Sequence, residues 1–208
     1  MMTSRFIPAL ILGAALAVSG CVGTTDVSRD IGADVLPVAA PTEFLDWDVV
    51  GVEVDVPRTL TSSEANTIKP RADIVWREDP LGDRHAQVDE LMTAALAPAF
   101  EAVNGTIPVM IYIEVTRFHA QTQRVRYSNI PSEQEIEFNL TATHAETGEL
   151  LSGPTHVDLT FMALGGDDAI AADSAGITQR ARITERLVRW VNQEFVGPAA
   201  DTLLVASN

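Results

Sequence analysis

The chain has 208 residues, of which 46% are hydrophobic and 21% are charged, a composition typical of a folded globular protein and not of a disordered one. Its 29 acidic and 14 basic residues give a net charge of −15, and nucleic acid and anionic lipid headgroups repel such a surface. We therefore expect neither a nucleic-acid partner nor a basic membrane-binding patch.

Residues 1–20 have the features of a secretory signal, because Arg5 precedes an apolar run over residues 6–18. This run of 13 residues is too short to cross a bilayer as a helix, which takes about 20 residues. It leads into Val18-Ser19-Gly20-Cys21, which resembles the lipobox of bacterial lipoproteins. An ordinary secretory signal that happens to end near a cysteine is the alternative.

The lipobox resemblance implies cleavage before Cys21 and acylation of Cys21 with palmitate-type chains, which would anchor the protein in a bacterial membrane. Valine instead of aspartate at position 22 favours the outer membrane over the inner one, although anchoring in the inner membrane stays open. Cys21 is the only cysteine, so a disulfide framework is excluded. We predict a flexible tether over 21–45, a single periplasmic domain over 46–197 and a tail over 198–208.

The first part of the predicted domain contains a strand, a long connection and a helix. Valines at every second position from Val50 to Val56 predict a half-buried strand, which Pro57 ends. The connection reaches Pro80 and contains one short apolar piece, Ile74-Val75-Trp76; loops of this length are often functional. Asp79 should cap a helix that ends at Asn104-Gly105 and is kinked by Pro98. Its predicted apolar face comprises Val88, Leu91, Met92, Ala95, Leu96, Ala99 and Val103.

Three more strands follow, each with one apolar face. These faces comprise Val109, Ile111, Ile113 and Val115; then Ile136, Phe138, Leu140 and Ala142; then Val157, Leu159, Phe161 and Ala163. A polar connection from about His119 to Ser132 joins the first two strands. A two-residue loop at Thr147-Gly148 is predicted between the last two, because it pairs Phe138 with Val157 and brings both apolar sets to one face.

After Gly165-Gly166 the spacing predicts one long helix that ends near Phe195. Its predicted stripe comprises Ile170, Ile177, Ala181, Thr184, Val188, Val191 and Phe195, flanked by Ile183, Leu187 and Trp190. The order β-α-β-β-β-α predicts an α+β fold, a two-layer sandwich in which two long helices cover one face of a four-stranded, mostly antiparallel sheet. If the first two strands are parallel, their connection should be right-handed.

Four segments resemble uncharacterised lipoproteins of alphaproteobacteria related to Rhodobacter, a family of unknown function. They are Val54-Asp55-Val56-Pro57-Arg58, Ala72-Asp73-Ile74-Val75-Trp76-Arg77, Gly82-Asp83-Arg84-His85-Ala86-Gln87-Val88 and Val115-Thr116-Arg117-Phe118-His119-Ala120. More distantly, Trp76 before the first helix and Arg117-Phe118 at a strand end are similar to auxiliary lipoproteins of envelope ABC transport systems. That similarity implies a periplasm-facing scaffold of a lipid or solute transport machine and no catalytic residues.

Two polar groups and one sheet face are candidate sites. Trp76 and Arg77 lie near Asp83 and His85, which could bind a metal or act as an acid–base pair; helix capping and surface ion pairs explain the same residues. The second group could bind a phosphate, a carboxylate or an acidic partner, or it could be a solvated loop. It comprises Arg117, His119, Arg124, Arg126 and Tyr127. The acidic sheet face could meet a protein partner or divalent cations, and comprises Glu53, Asp55, Glu114, Glu135, Glu137 and Asp158.

The sequence contains no nucleophile elbow, glycine-rich phosphate loop or paired cysteine motif, so we predict no catalytic residue, no metal and no cofactor. We expect a non-enzymatic envelope lipoprotein that faces the periplasm and binds or scaffolds a protein partner in transport or envelope maintenance. The alternative is a lipid- or small-ligand-binding module that uses the cleft beside the long connection and Trp76. A periplasmic hydrolase that depends on His85 or His119 is the third hypothesis.

Overall fold

The computed structural model describes residues 46–196, so the predictions for the signal, Cys21, the tether and the tail lie outside the described residues. Within that range the chain forms six strands, four α-helices and a terminal π-helical turn. In chain order they are β1 (Trp47–Asp55), β2 (Ile74–Val75), α1 (Arg84–Phe100), β3 (Ile107–His119), α2 (Gln123–Arg126), β4 (Glu133–His144), β5 (Leu150–Asp158), β6 (Phe161–Met162), α3 (Gly166–Ser174), α4 (Gln179–Val191) and the turn Asn192–Val196.

The four long strands form a sheet in the order β1-β3-β4-β5. The first pair is parallel and the other two are antiparallel. The short strands extend this sheet, since β2 runs parallel to the end of β3 and β6 pairs with the start of β4. The predicted α+β class is therefore confirmed, whereas the count of four strands and two helices was too low.

Bulges in β1 and β3 shift the alternation that the sequence predicts. In β1 the register shifts between Val49 and Gly51, which leaves Val50 exposed instead of on the buried face. In β3 it shifts between Val115 and Arg117, so Val115 and Phe118 are both fully buried. The extra residue in a bulge rotates every later side chain to the opposite face.

The hairpin between β4 and β5 reaches the predicted register by a different route. The loop spans residues 145–148 instead of two residues, because His144 N donates a hydrogen bond to Glu149 O at 2.8 Å. Two register shifts along β5 compensate for this difference, and Phe138 still faces Val157 as predicted. The apolar faces of both strands therefore meet as predicted, although the predicted loop length of two residues was wrong.

Helix α1 begins later than predicted, because its cap is Asp83 and not Asp79. The Asp83 carboxylate accepts hydrogen bonds from the backbone N–H groups of His85 and Ala86. The helix continues through Pro98 and ends two residues later, before the predicted Asn104-Gly105. All but one of the predicted face residues lie within the helix, and all of them are buried.

The predicted long C-terminal helix is two helices. Gly176 has φ +80°, a left-handed conformation that interrupts the helix, and Thr178 caps α4 by accepting from Ala181 N. The predicted stripe was wrong in part, because Ile170 and Ile177 are exposed. The buried face of α4 instead contains the residues that the sequence placed at its flank, Ile183, Leu187 and Trp190, together with Val191.

Helices α1 and α4 pack against each other, and their apolar faces join the buried face of the sheet in one hydrophobic core. Trp190 joins the helices to the sheet in this core, with ring centroids 5.2 Å from Phe138 and 6.1 Å from Phe100, both edge-to-face. Among residues 46–196 we find no helix that is long and apolar enough to span a membrane.

Candidate binding site beside the long loop

The connection between β1 and β2, residues 56–73, is called the long loop here. Its second half is hydrogen-bonded to the end of β3 and to the segment that follows β3. Thr122 Oγ1 donates to Thr67 O at 2.7 Å, and Asn66 Oδ1 accepts from Arg124 N at 2.9 Å. His119 Nε2 lies 3.1 Å from Pro70 O, which only accepts, so this nitrogen carries the hydrogen. These contacts hold the long loop beside one end of the sheet.

Trp76, the aromatic candidate from the sequence, is fully buried and lines neither of the two cavities described below. Its Nε1 donates to Asp79 Oδ2 at 2.6 Å, and its ring is 5.7 Å from that of Phe118. The Arg180 guanidinium lies 5.4 Å from the centre of the ring and also pairs with Asp79. Burial alone would raise the pKa of Asp79, but the hydrogen bonds from Trp76 and Arg180 outweigh it and the pKa is lowered.

Arg77 is part of an ion-pair cluster that holds the long loop against the start of α1. It donates to Glu64, whose carboxylate also accepts from the buried Arg84, with Nη2 to Oε2 at 2.9 Å. The hydrogen bond from Arg84 is the main reason that the pKa of Glu64 is lowered. Arg84 was not predicted as a site residue, and it donates further to Gln87.

Asp83 and His85 lie beside this cluster and have separate partners. Asp83 caps α1 and accepts from Arg58 Nη1 at 2.7 Å, while His85 Nε2 lies 3.0 Å from Leu60 O. The His85 ring nitrogen Nδ1 comes no closer than 3.8 Å to the Asp83 carboxylate, which is too long for a hydrogen bond between the two side chains. Within the described part of the chain, no three His, Cys, Asp or Glu side chains are grouped so that they could hold a metal ion.

The second candidate group divides into separate contacts. Arg126 is only 2% exposed, and its guanidinium binds both carboxylate oxygens of Asp173. Tyr127 donates its hydroxyl to the same carboxylate at 3.1 Å; burial and that hydrogen bond raise the pKa of Tyr127. Arg124, on the same short helix, is exposed and forms no ion pair within residues 46–196. The solvated-loop alternative is therefore incorrect for Arg126.

A cleft of about 350 Å³ opens between the long loop and the segment that leads into β4. We call it the Lys69 cleft. Its apolar lining comprises Ile68, Ala120, Val125, Ile130, Pro131 and Met162. Its polar lining comprises Lys69, His119, Gln121, Ser132, Glu133 and Glu135. The volume and the mixture of apolar walls with a few polar groups are those of a small-molecule site.

A second, more open cavity of about 460 Å³ adjoins the Lys69 cleft and shares Lys69 with it. Arg71 and Arg117 line this second cavity. Between the two, Glu135 accepts hydrogen bonds from both Lys69 and Arg117. Burial alone would raise the pKa of Glu135, but these two bonds outweigh it and the pKa is lowered.

The acidic sheet face is exposed at Glu53, Asp55, Glu114 and Asp158. Glu135 belongs to the cleft instead, since it is occupied by two cations. Lys69 was missed as a site residue by the sequence interpretation. It is the single lysine among 14 basic residues, and this was the one signal that could have found it.

A family model described as "Family of unknown function (DUF6778)" matches residues 47–206. A crystal structure of a candidate lipoprotein from Caulobacter crescentus shares 15% identity with this chain, covering 80% of it and 95% of the other chain, with a TM-score of 0.33. A crystal structure of a DUF330 family protein from Xanthomonas campestris shares 14% identity, covering 81% and 96%, with a TM-score of 0.37. No protein of curated function matches the sequence.

Proposed function

The chain belongs to DUF6778, a family of unknown function, and from that premise we propose that it is a non-enzymatic binding module of the bacterial cell envelope. In this proposal the acylated Cys21 holds the protein at the periplasmic side of the outer membrane. The tether over 21–45 lets the folded domain reach a partner or ligand near the membrane surface. The Lys69 cleft is the binding surface.

The contacts of the candidate catalytic residues support a role without catalysis. Asp83 caps α1 and pairs with Arg58, and the Nε2 atoms of His85 and His119 are hydrogen-bonded to backbone carbonyls of the long loop. A general base must reach the proton that it abstracts and must be oriented for that transfer. These three side chains instead connect segments of the fold, as expected of structural residues.

The Lys69 cleft is the observation that carries the proposal. Its rim includes three large apolar side chains that stay exposed, namely Ile68 (54%), Ile130 (38%) and Met162 (51%). Apolar side chains that are grouped at a concave site mark binding surfaces more often than scattered ones do. This favours the small-ligand alternative over a scaffold that uses only the acidic sheet face.

Site-specific photo-cross-linking in cells tests the proposal. A benzophenone amino acid at position 68 or 162 should capture one defined envelope component, either a protein or a small ligand, while the same group at Leu81 should not. Leu81 lies outside the cleft and is 81% exposed, which is more than Ile68 or Met162, so a lack of capture there cannot come from burial. Equal or absent capture at all three positions would reject the cleft as the binding surface.

Fractionation of the Cys21→Ser variant tests the anchoring part separately. We expect loss from the membrane fraction, because serine lacks the thiol to which the lipid is attached. Density-gradient separation of the wild type reports which membrane holds it. Retention of the variant in the membrane fraction would contradict lipid anchoring.

A further inference from the structure

The walls and the charged groups of the Lys69 cleft together indicate what kind of molecule it binds. Ile68 comes from the long loop, Ile130 from the segment before β4, and Met162 from β6. Each of them exposes a large apolar surface to water at the same concavity, and covering apolar surface contributes roughly 25 cal/mol per Å². A ligand with an aliphatic portion would use these three walls.

The cleft also has a cation that can leave its partner without exposing an unpaired buried charge. The Glu135 side chain is 14% exposed and accepts from both Lys69 and Arg117. If Lys69 moves to another anion, Arg117 still pairs with Glu135, so the carboxylate keeps a partner. The Lys69 side chain is 63% exposed, and its ammonium group rotates readily.

A neutral donor complements Lys69. The Ser132 hydroxyl accepts a hydrogen bond from Gln121 Nε2 at 2.9 Å and donates none within residues 46–196. That proton can be donated to a ligand oxygen. Glu133, the remaining acid of the lining, is exposed, so water and salt screen its repulsion of an anion.

We propose that the Lys69 cleft binds a short amphiphilic carboxylate. The aliphatic chain lies between Ile68, Ile130 and Met162, and the carboxylate accepts from Lys69 and Ser132. The cleft volume is at the lower end of the range for small-molecule sites, which favours a short chain over a whole phospholipid. The inference rests on the proposed function, because it takes the cleft as the binding surface.

Calorimetric titration of the full acylated protein in lipid nanodiscs tests the inference, with empty nanodiscs as the blank. Octanoate, the uncharged octanol and the cationic octylammonium are the three probes. We expect octanoate to bind at least about tenfold more tightly than octanol, because only the carboxylate carries a negative charge that forms an ion pair with Lys69. Octylammonium should bind more weakly than octanol.

Four variants distinguish what the carboxylate and the aliphatic chain of the ligand each contribute to affinity. Lys69→Gln should weaken octanoate binding about tenfold and leave octanol unchanged, while Lys69→Arg should keep most of the preference because it keeps the charge. Met162→Ser should weaken both probes alike. Arg124→Gln, which removes an exposed cation outside the cleft, should change neither. Equal urea midpoints for all variants would show that folding is unaffected.

Three results would overturn the inference: no octanoate binding, equal affinity for octanoate and octanol, or no effect of Lys69→Gln. If octanoate fails while the cross-linker at positions 68 and 162 still captures a component, the binding module stands and only the ligand class is wrong. If both experiments fail, the proposed function is wrong as well.

Discussion

Replacing Arg126 by glutamine should destabilise the protein strongly, whereas the same replacement of Arg124 should not. The two arginines lie two positions apart on α2, and the sequence analysis placed both in the same candidate binding group. In the structure Arg126 is buried and binds both carboxylate oxygens of Asp173, while Arg124 is exposed. Arg124→Gln is therefore a matched control for the loss of one positive charge from this helix.

The expected cost follows from the contacts that Arg126 loses. Breaking a fully buried ion pair by removing one partner costs about 3–5 kcal/mol. The Asp173 side chain is 27% exposed, so water compensates part of that loss, and Tyr127 still donates to the carboxylate. We therefore expect the free energy of unfolding to fall by about 2–3 kcal/mol, which is typical of hydrogen bonds between charged groups. For Arg124→Gln we expect a change within about 0.5 kcal/mol.

Urea unfolding followed by tryptophan fluorescence measures both variants. With an m-value of about 2 kcal/mol/M, the midpoint of Arg126→Gln should fall by about 1–1.5 M, and that of Arg124→Gln should stay unchanged. A double-mutant cycle with Asp173→Asn should give a coupling energy of at least about 1 kcal/mol, since the two side chains are in direct contact. Equal midpoints for the two arginine variants, or no coupling to Asp173, would refute the reasoning.

Three further predictions concern the backbone, a helix cap and pH. Gly153→Ala should cost at least about 2 kcal/mol, because φ is +91° and the new Cβ would lie 2.3 Å from a backbone oxygen of β4. Gly148→Ala should cost only about 1 kcal/mol, because φ is also positive there, at +72°, but the new Cβ meets open space. Urea midpoints of the two variants compare these costs. Glu78→Ala should cost about 1 kcal/mol and speed hydrogen exchange of the first α4 amides, because its carboxylate accepts from two of them; unchanged exchange would contradict the cap. The pKa values of Glu64 and Asp173 are lowered because arginines donate hydrogen bonds to their carboxylates. The stability that these carboxylates contribute is therefore fully present above their ordinary pKa values of 4.5 and 3.8, and it is lost as the pH falls through the lowered pKa values. A urea midpoint that stays constant between pH 5 and about pH 3 would count against these pairs.

The parts of the fold that local periodicity encodes were predictable from the sequence. The predicted apolar face of β3, from Val109 to Val115, is buried, and so is that of β4, from Ile136 to Ala142. A residue at every second position points to the same face of a strand, so burial on one side leaves a direct pattern in the sequence. The same reasoning located the buried face of α1.

The errors arose where one residue interrupts a period. Gly176 breaks the C-terminal helix because it adopts φ +80°, yet the apolar residues on both sides of it fit one continuous helical spacing. Thr178 was a readable cap signal just beyond it. Val50 was misplaced for the same reason, since a bulge reverses the strand alternation without any change in residue type.

The site was much less predictable, because its contacts join distant parts of the chain. Lys69 and Glu135 are 66 positions apart, Arg126 and Asp173 are 47 apart, and Glu78 caps a helix that begins 101 positions later. No local spacing specifies such partners; they depend on which strand ends the sheet topology brings together. The sequence identified charged residues near the site but not which of them are paired with each other.

Around the long loop, the number of partners that each contact retains distinguishes structural side chains from those that can bind a ligand. Residue type alone does not make this distinction. A long segment without regular structure satisfies some of its backbone groups through side chains, and His85 and His119 do so at the carbonyls of Leu60 and Pro70. Removing either histidine would leave a loop carbonyl without its donor. Lys69 differs, because its partner Glu135 keeps a second cation when Lys69 turns away. The sequence therefore suggests catalysis at His85 and His119, whereas both side chains hydrogen-bond to carbonyls of the long loop, and Lys69 is the residue that we propose engages a ligand.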